Sequence, residues 1–139
     1  MIRFSIAYSW FLLALAGAPA AALAQPAVQD VPAASVEKPV PYDARLLRLA
    51  EITGSVHYLR VLCKDDKADG WRRSMQELLD KEAGNEALRR ARLTAAFNRG
   101  YRAFASVYTA CTPAATIADG KYRAEGATLA SEIVARFGN

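Results

Sequence analysis

Apolar residues between Leu93 and Pro113 recur with a helical beat: Leu93, Phe97, Tyr101, Phe104, Tyr108 and Cys111 are spaced by four, four, three, four and three. That rhythm places all six on one side of a helix with 3.6 residues per turn. Arg89, Arg92, Arg99 and Arg102 read as the opposite, cationic side of this helix, which opens at Glu86. A second stripe, Leu49, Ile52, Val56, Leu59 and Cys63, also ends in cysteine. It predicts a helix from an Asp43 N-cap to about Lys64. Gly54 falls inside it, where glycine costs up to about 1 kcal/mol against alanine. Close approach of a neighbouring backbone is one reason to keep it. Trp71, Met75, Leu78 and Leu79 predict a short helix that Gly84-Asn85 ends, and the charged run from Lys64 to Gly70 predicts a turn. Thr112-Pro113 is a restart, a capping hydroxyl followed by proline at the first helical position. Tyr122, Gly126, Leu129, Ile133 and Phe137 share one face of the last helix, with Asp119-Gly120 as a point of kink or interruption. No strand-like alternation or internal repeat is present. The expected fold class is all-α, a compact bundle of about four helices over residues 43–139.

The first residues carry a different signal. Arg3 gives a positive start, Ser9 to Ala16 an apolar centre, and Ala22-Leu23-Ala24 a small-x-small cleavage site, so residues 1–24 read as a secretory signal peptide. The apolar run is shorter than the roughly 20 residues a bilayer span needs. With no cysteine beside the cleavage point, lipoprotein attachment is excluded. Residues 25–42 hold prolines at 26, 32, 39 and 41 and no periodicity, which predicts a disordered linker. Loss of Arg3 with the signal leaves 17 Lys and Arg against 14 Asp and Glu, a mildly basic +3. That balance does not suggest a nucleic-acid partner, and no transmembrane span remains after cleavage.

Export sets the redox environment. Two cysteines 48 positions apart in a secreted chain read as one disulfide, Cys63–Cys111, with a free thiol or a metal ligand as alternatives. The bond would tie the end of the first helix to the end of the third. In the chain-entropy picture a loop of this length contributes about 4 kcal/mol.

Candidate chemistry is sparse. The run before Gly70 fits a calcium-binding loop at Asp65 and Asp69 but fails at Lys67 and Gln76, where oxygen ligands belong. His57 is the sole histidine, and a Cys–His nucleophilic pair needs the free thiolate that a disulfide removes. It reads as an ordinary helix-surface or helix-packing histidine, with pH sensing as the sharper alternative. Glu125 and Glu132 share a side of the last helix, yet no cleft is announced that would desolvate either. Serine-nucleophile and phosphate-loop motifs are absent. No enzyme activity, metal site or cofactor is expected. The aromatic stripe reads as core. The four arginines read as a solvated face or a surface for an anionic partner, and Arg72 and Arg73 are candidates to extend it.

His57-Tyr58-Leu59-Arg60, Leu62-Cys63, Trp71, Phe97-Asn98-Arg99-Gly100-Tyr101, Cys111-Thr112-Pro113, Tyr122 and Glu125-Gly126 resemble a family of small exported alphaproteobacterial proteins of unknown function. The likeness covers about Asp43 to Phe137 and implies a Gram-negative periplasm and a disulfide-linked helical domain. It carries over no activity. A thinner likeness, in the single disulfide between helices and the Cys111-Thr112 pair, is to periplasmic acid-stress chaperones of the HdeA type. The expected function is therefore a non-catalytic periplasmic accessory protein that binds an envelope protein or an anionic envelope component. The alternative is a periplasmic acid- or stress-responsive holdase chaperone.

Overall fold

A computed structural model describes residues 39–138. The expected signal peptide and the linker up to residue 38 lie outside the described residues. Four helices follow, α1 (Asp43–Leu62), α2 (Ala68–Glu82), α3 (Ala87–Ala105) and α4 (Pro113–Phe137), with no strand among the described residues.

Helix α1 is the axis of the bundle: α2, α3 and α4 all pack on it, and α2 meets α3 only marginally. A helix covered by three others needs more than one apolar stripe. The unbroken stretch from Ile52 to His57 is buried, including Thr53, Gly54 and Ser55 between the stripe positions. The two hydroxyls are satisfied inside the helix, Thr53 Oγ1 donating to the Leu49 carbonyl at 2.8 Å and Ser55 Oγ to that of Glu51 at 3.0 Å. Helix α3 lies closest. A Cβ added to Gly54 would fall inside the shell of the Phe97 carbonyl oxygen, and one added to Gly100 inside that of Glu51. The two glycines let the backbones touch, which explains why α1 tolerates a glycine at its midpoint.

Leu46, Ala50, Met75, Leu79, Ala83, Leu93 and Ala96 form the core at the α1 N-terminal end, with Tyr42 and Ile133 packed against it. The neighbouring prolines predict Tyr42 as the end of the linker. It belongs to the fold instead, its ring 5.2 Å from that of Phe137 and its hydroxyl donating to Glu82. Asp43 is the first helical residue rather than the cap, and its carboxylate accepts from the Val40 backbone N–H.

The stripe on α3 does not stay helical to Cys111. The helix stops at Ala105, where Ser106 Oγ donates back to the Ala103 carbonyl and the Val107 N–H to that of Phe104. Proline at 113 disfavours helix at Thr112, and the extended stretch between the helices holds Cys111 within a Cα–Cα distance of 4.9 Å of Cys63. The disulfide therefore joins the residue after α1 to the connection just before α4. Tyr108 keeps its place on the stripe by stacking on Phe104, and its carbonyl accepts from the Tyr58 hydroxyl.

Thr112 caps α4 as expected, Oγ1 accepting from the Ala115 N–H at 3.2 Å, with proline at the helix start. Asp119-Gly120 does not interrupt it. Asp119 is held by Arg123 one turn on and by Arg60 of α1. Helix α2 opens earlier than the apolar set beginning at Trp71 suggests, at Ala68, so Gly70 is helical. Gly84, with φ of 47°, ends the segment in the left-handed conformation that glycine adopts without strain.

Candidate functional site

The four arginines expected on one face of α3 do not stay together. Arg89 is buried, 7% exposed. Its Nη2 lies 2.9 Å from Asp43 and 3.5 Å from Glu82, its Nη1 donates to the Glu82 carbonyl at 2.6 Å, and it sits over the Tyr42 ring. Burial pulls its guanidinium pKa down, but Tyr42 and the charges of Asp43 and Glu82 outweigh that, so the net shift is upward. The reason is positional. Arg89 precedes Leu93 by four residues and so shares its inward side. Arg92, Arg99 and Arg102 do lie on the exposed side of α3. Arg99 reaches Glu51 at 3.8 Å with over half its side chain exposed, and Arg102 has no ion-pair partner among the described residues.

Other arginines are spent on holding helices together. Arg48 donates to Glu125 of α4 at 2.8 Å, and Arg45 lies 3.8 Å from Glu132. Hydrogen bonding to Glu125 raises the Arg48 pKa against the opposing effect of burial. The two carboxylates singled out from the sequence thus anchor α4 to α1. Arg60 joins Asp65, Asp119 and the Trp71 ring, fixing the turn between α1 and α2. No group of three or more His, Cys, Asp or Glu that could hold a metal ion is gathered among the described residues.

The weak contact between α2 and α3 leaves a groove of about 440 Å³ over α1. Helix α2 lines it with Arg72, Met75, Gln76 and Leu79, and α3 with Thr94, Phe97, Asn98 and Tyr101. Each set is spaced i, i+3, i+4 and i+7, one helical face apiece. His57 of α1 also lines this groove. It is 6% exposed, its ring lies 5.9 Å from that of Phe97 and 5.8 Å from that of Tyr101, and its Nδ1 is 3.1 Å from the Ala68 carbonyl oxygen. The sequence leaves His57 open between the helix surface and helix packing, and its burial and ring contacts show packing. It did not reveal the groove. The available signal was the pair of matching spacings in which polar residues interrupt otherwise apolar faces.

A second hollow of about 470 Å³ lies between the end of α3 and the start of α4, lined by Phe104, Tyr108 and Tyr122 and flanked by exposed Val107 and Ile117. It is apolar, and Lys121 is its charged edge. Both cysteines are oxidised nearby, so neither offers a thiolate to His57 or to this hollow.

The profile of the family described as Protein of unknown function (DUF2385) matches residues 41–137. The chain belongs to this family. The DUF2385 match begins just before Tyr42 and ends at Phe137, two residues whose rings meet. It therefore takes in all four helices, both cysteines and the His57 groove. No curated protein and no solved structure matches the chain significantly. Among the described residues no helix is long and apolar enough to cross a membrane.

Proposed function

We propose that this domain works in the periplasm as a non-catalytic accessory protein of the cell envelope, binding an anionic partner through the outer face of α3. The observation that carries the reading is the charge left over on that face. Arg102 is exposed with no carboxylate partner among the described residues, while Arg99 has only the 3.8 Å contact to Glu51. Arg45, Arg48, Arg60, Arg89, Arg90 and Arg123 are all engaged by carboxylates. An exposed guanidinium offers a planar fork to carboxylate or phosphate at little cost in desolvation. The disulfide supports the exported setting, since such bonds persist outside the cytoplasm.

The test is in-cell crosslinking of the exported protein against a variant with Arg92→Glu, Arg99→Glu and Arg102→Glu. All three positions are exposed, so the variant should keep its helical signal. Loss of the crosslinked species is expected. Recovery of the same species at the same yield would remove α3 as the docking surface.

A further inference from the structure

His57, which lines the groove between α2 and α3, has a hydrogen-bonding atom that the protein does not use. A carbonyl oxygen only accepts, so the contact with Ala68 requires the hydrogen to be on His57 Nδ1. With the hydrogen there, the lone pair of an unprotonated imidazole is the one on Nε2. That nitrogen has no partner among the described residues, although His57 is more than nine-tenths buried. A buried polar atom without a partner is uncommon in folded proteins and calls for an explanation.

The surroundings supply one. The hollow is within the size range that holds a small organic molecule. Met75, Leu79 and Phe97 give it an apolar wall. Arg72, on its α2 side, is exposed and has no carboxylate partner among the described residues. No other cationic side chain, and no acidic one, lines the space. One free guanidinium suits one negative charge, and its fork matches a planar carboxylate. A dicarboxylate would leave a charge unmatched against the apolar wall.

We propose that this groove binds a small amphipathic monoanion, an aromatic carboxylate that also carries a hydroxyl or amide donor. The donor meets Nε2 of His57, the ring lies against Phe97 and Met75, and the carboxylate pairs with Arg72. Gln76 and Asn98 offer adaptable polar contacts beside it. This site is separate from the outer face of α3 and does not depend on the reading given for that face.

The oxidised exported protein is titrated with three fluorescent probes: 6-hydroxy-2-naphthoate, 2-naphthoate without the donor, and 2-naphthol without the charge. The nitrogen-15 resonance of His57 Nε2 is followed in parallel. Saturable binding of 6-hydroxy-2-naphthoate with a shift of that resonance is expected; 2-naphthoate should bind about tenfold or more weakly because the buried His57 goes unpaired, and 2-naphthol up to about fivefold more weakly because the exposed Arg72 pair is lost. Arg72→Gln should bring 6-hydroxy-2-naphthoate down to the affinity of 2-naphthol and leave 2-naphthol unchanged. Asn98→Trp, at an exposed position on the groove, should block all three. Equal affinity for the three probes, a stationary Nε2 resonance, indifference to Asn98→Trp, or no saturable binding would each overturn the proposal. The α3 variant reversed at 92, 99 and 102 should bind the probe like wild type, which separates this site from the docking surface.

Discussion

Arg89 shows how one residue can look like surface in the sequence and act as an internal anchor. Its charge argued for solvent, but its register, four before Leu93, argued for the core, and register prevailed because Asp43 and Glu82 were there to meet it. Truncation would strand both carboxylates beside each other and leave the Glu82 carbonyl without its 2.6 Å donor. Arg89→Ala should therefore destabilise the domain by about 2–4 kcal/mol, the range for breaking a partly buried pair. Urea denaturation checks this against Arg102→Ala, which should change stability by less than about 0.5 kcal/mol. The upward shift of the Arg89 pKa means the guanidinium stays charged throughout the accessible pH range. Its stabilising contribution is fully present below its ordinary pKa and is lost only on rising through the raised one. The sequence did not separate a surface His57 from a packed one, and its free Nε2 was not legible. That depends on which carbonyl α2 presents to it, a fact of tertiary structure.

At the scale of elements, the sequence located all four helices because long periodic runs and the Thr112-Pro113 restart are local signals. It misjudged where some of them begin and end. The aromatic period continued past Ala105, but the chain had to leave the helix to bring Cys111 to Cys63. Helix α1 looked one-sided because Thr53, Gly54 and Ser55 read as polar or neutral, although small residues are what a three-sided contact needs. The glycines distinguish a contact from a mere helical position. Gly54 and Gly100 face the carbonyls of Phe97 and Glu51, while Gly120 has nothing within 4 Å. Gly100→Ala should force α1 and α3 apart and cost about 3 kcal/mol, as overpacking a close contact does. Gly120→Ala meets open space inside a continuous helix and should stabilise by up to about 1 kcal/mol. Thermal unfolding of the two variants should move in opposite directions. Stabilisation by Gly100→Ala would mean that the α1–α3 crossing is not as close as the backbones indicate.

Across the whole molecule, the unusual feature is how little α4 touches besides α1. Only Ala115 and Gly126 of its 25 residues are buried. It is held by half-buried apolar side chains, by the surface pairs of Arg45 and Arg48, and by the edge contact of Phe104 with Tyr122. Exposed ion pairs contribute about 0–1 kcal/mol each. Such an arrangement places weight on the covalent link beside the α4 N-cap. Replacing both cysteines with serine releases a loop of 48 positions in the unfolded chain, and the entropy regained there should lower stability by about 4 kcal/mol. That is a large fraction of the roughly 5–15 kcal/mol typical of a domain. The folded state should nevertheless survive at 25 °C, because Tyr58 still donates to the Tyr108 carbonyl and Thr112 still caps α4. The expected result is an unchanged helical circular dichroism signal in buffer with a much lower urea midpoint. The m-value should rise, since an uncrosslinked chain exposes more surface on unfolding. Hydrogen exchange then locates the effect. If the link acts only on the unfolded chain, protection should fall by a similar free energy in the core of every helix. A loss confined to α4 would instead show that the disulfide holds that helix in place in the native state, and that the other three form the cooperative unit on their own.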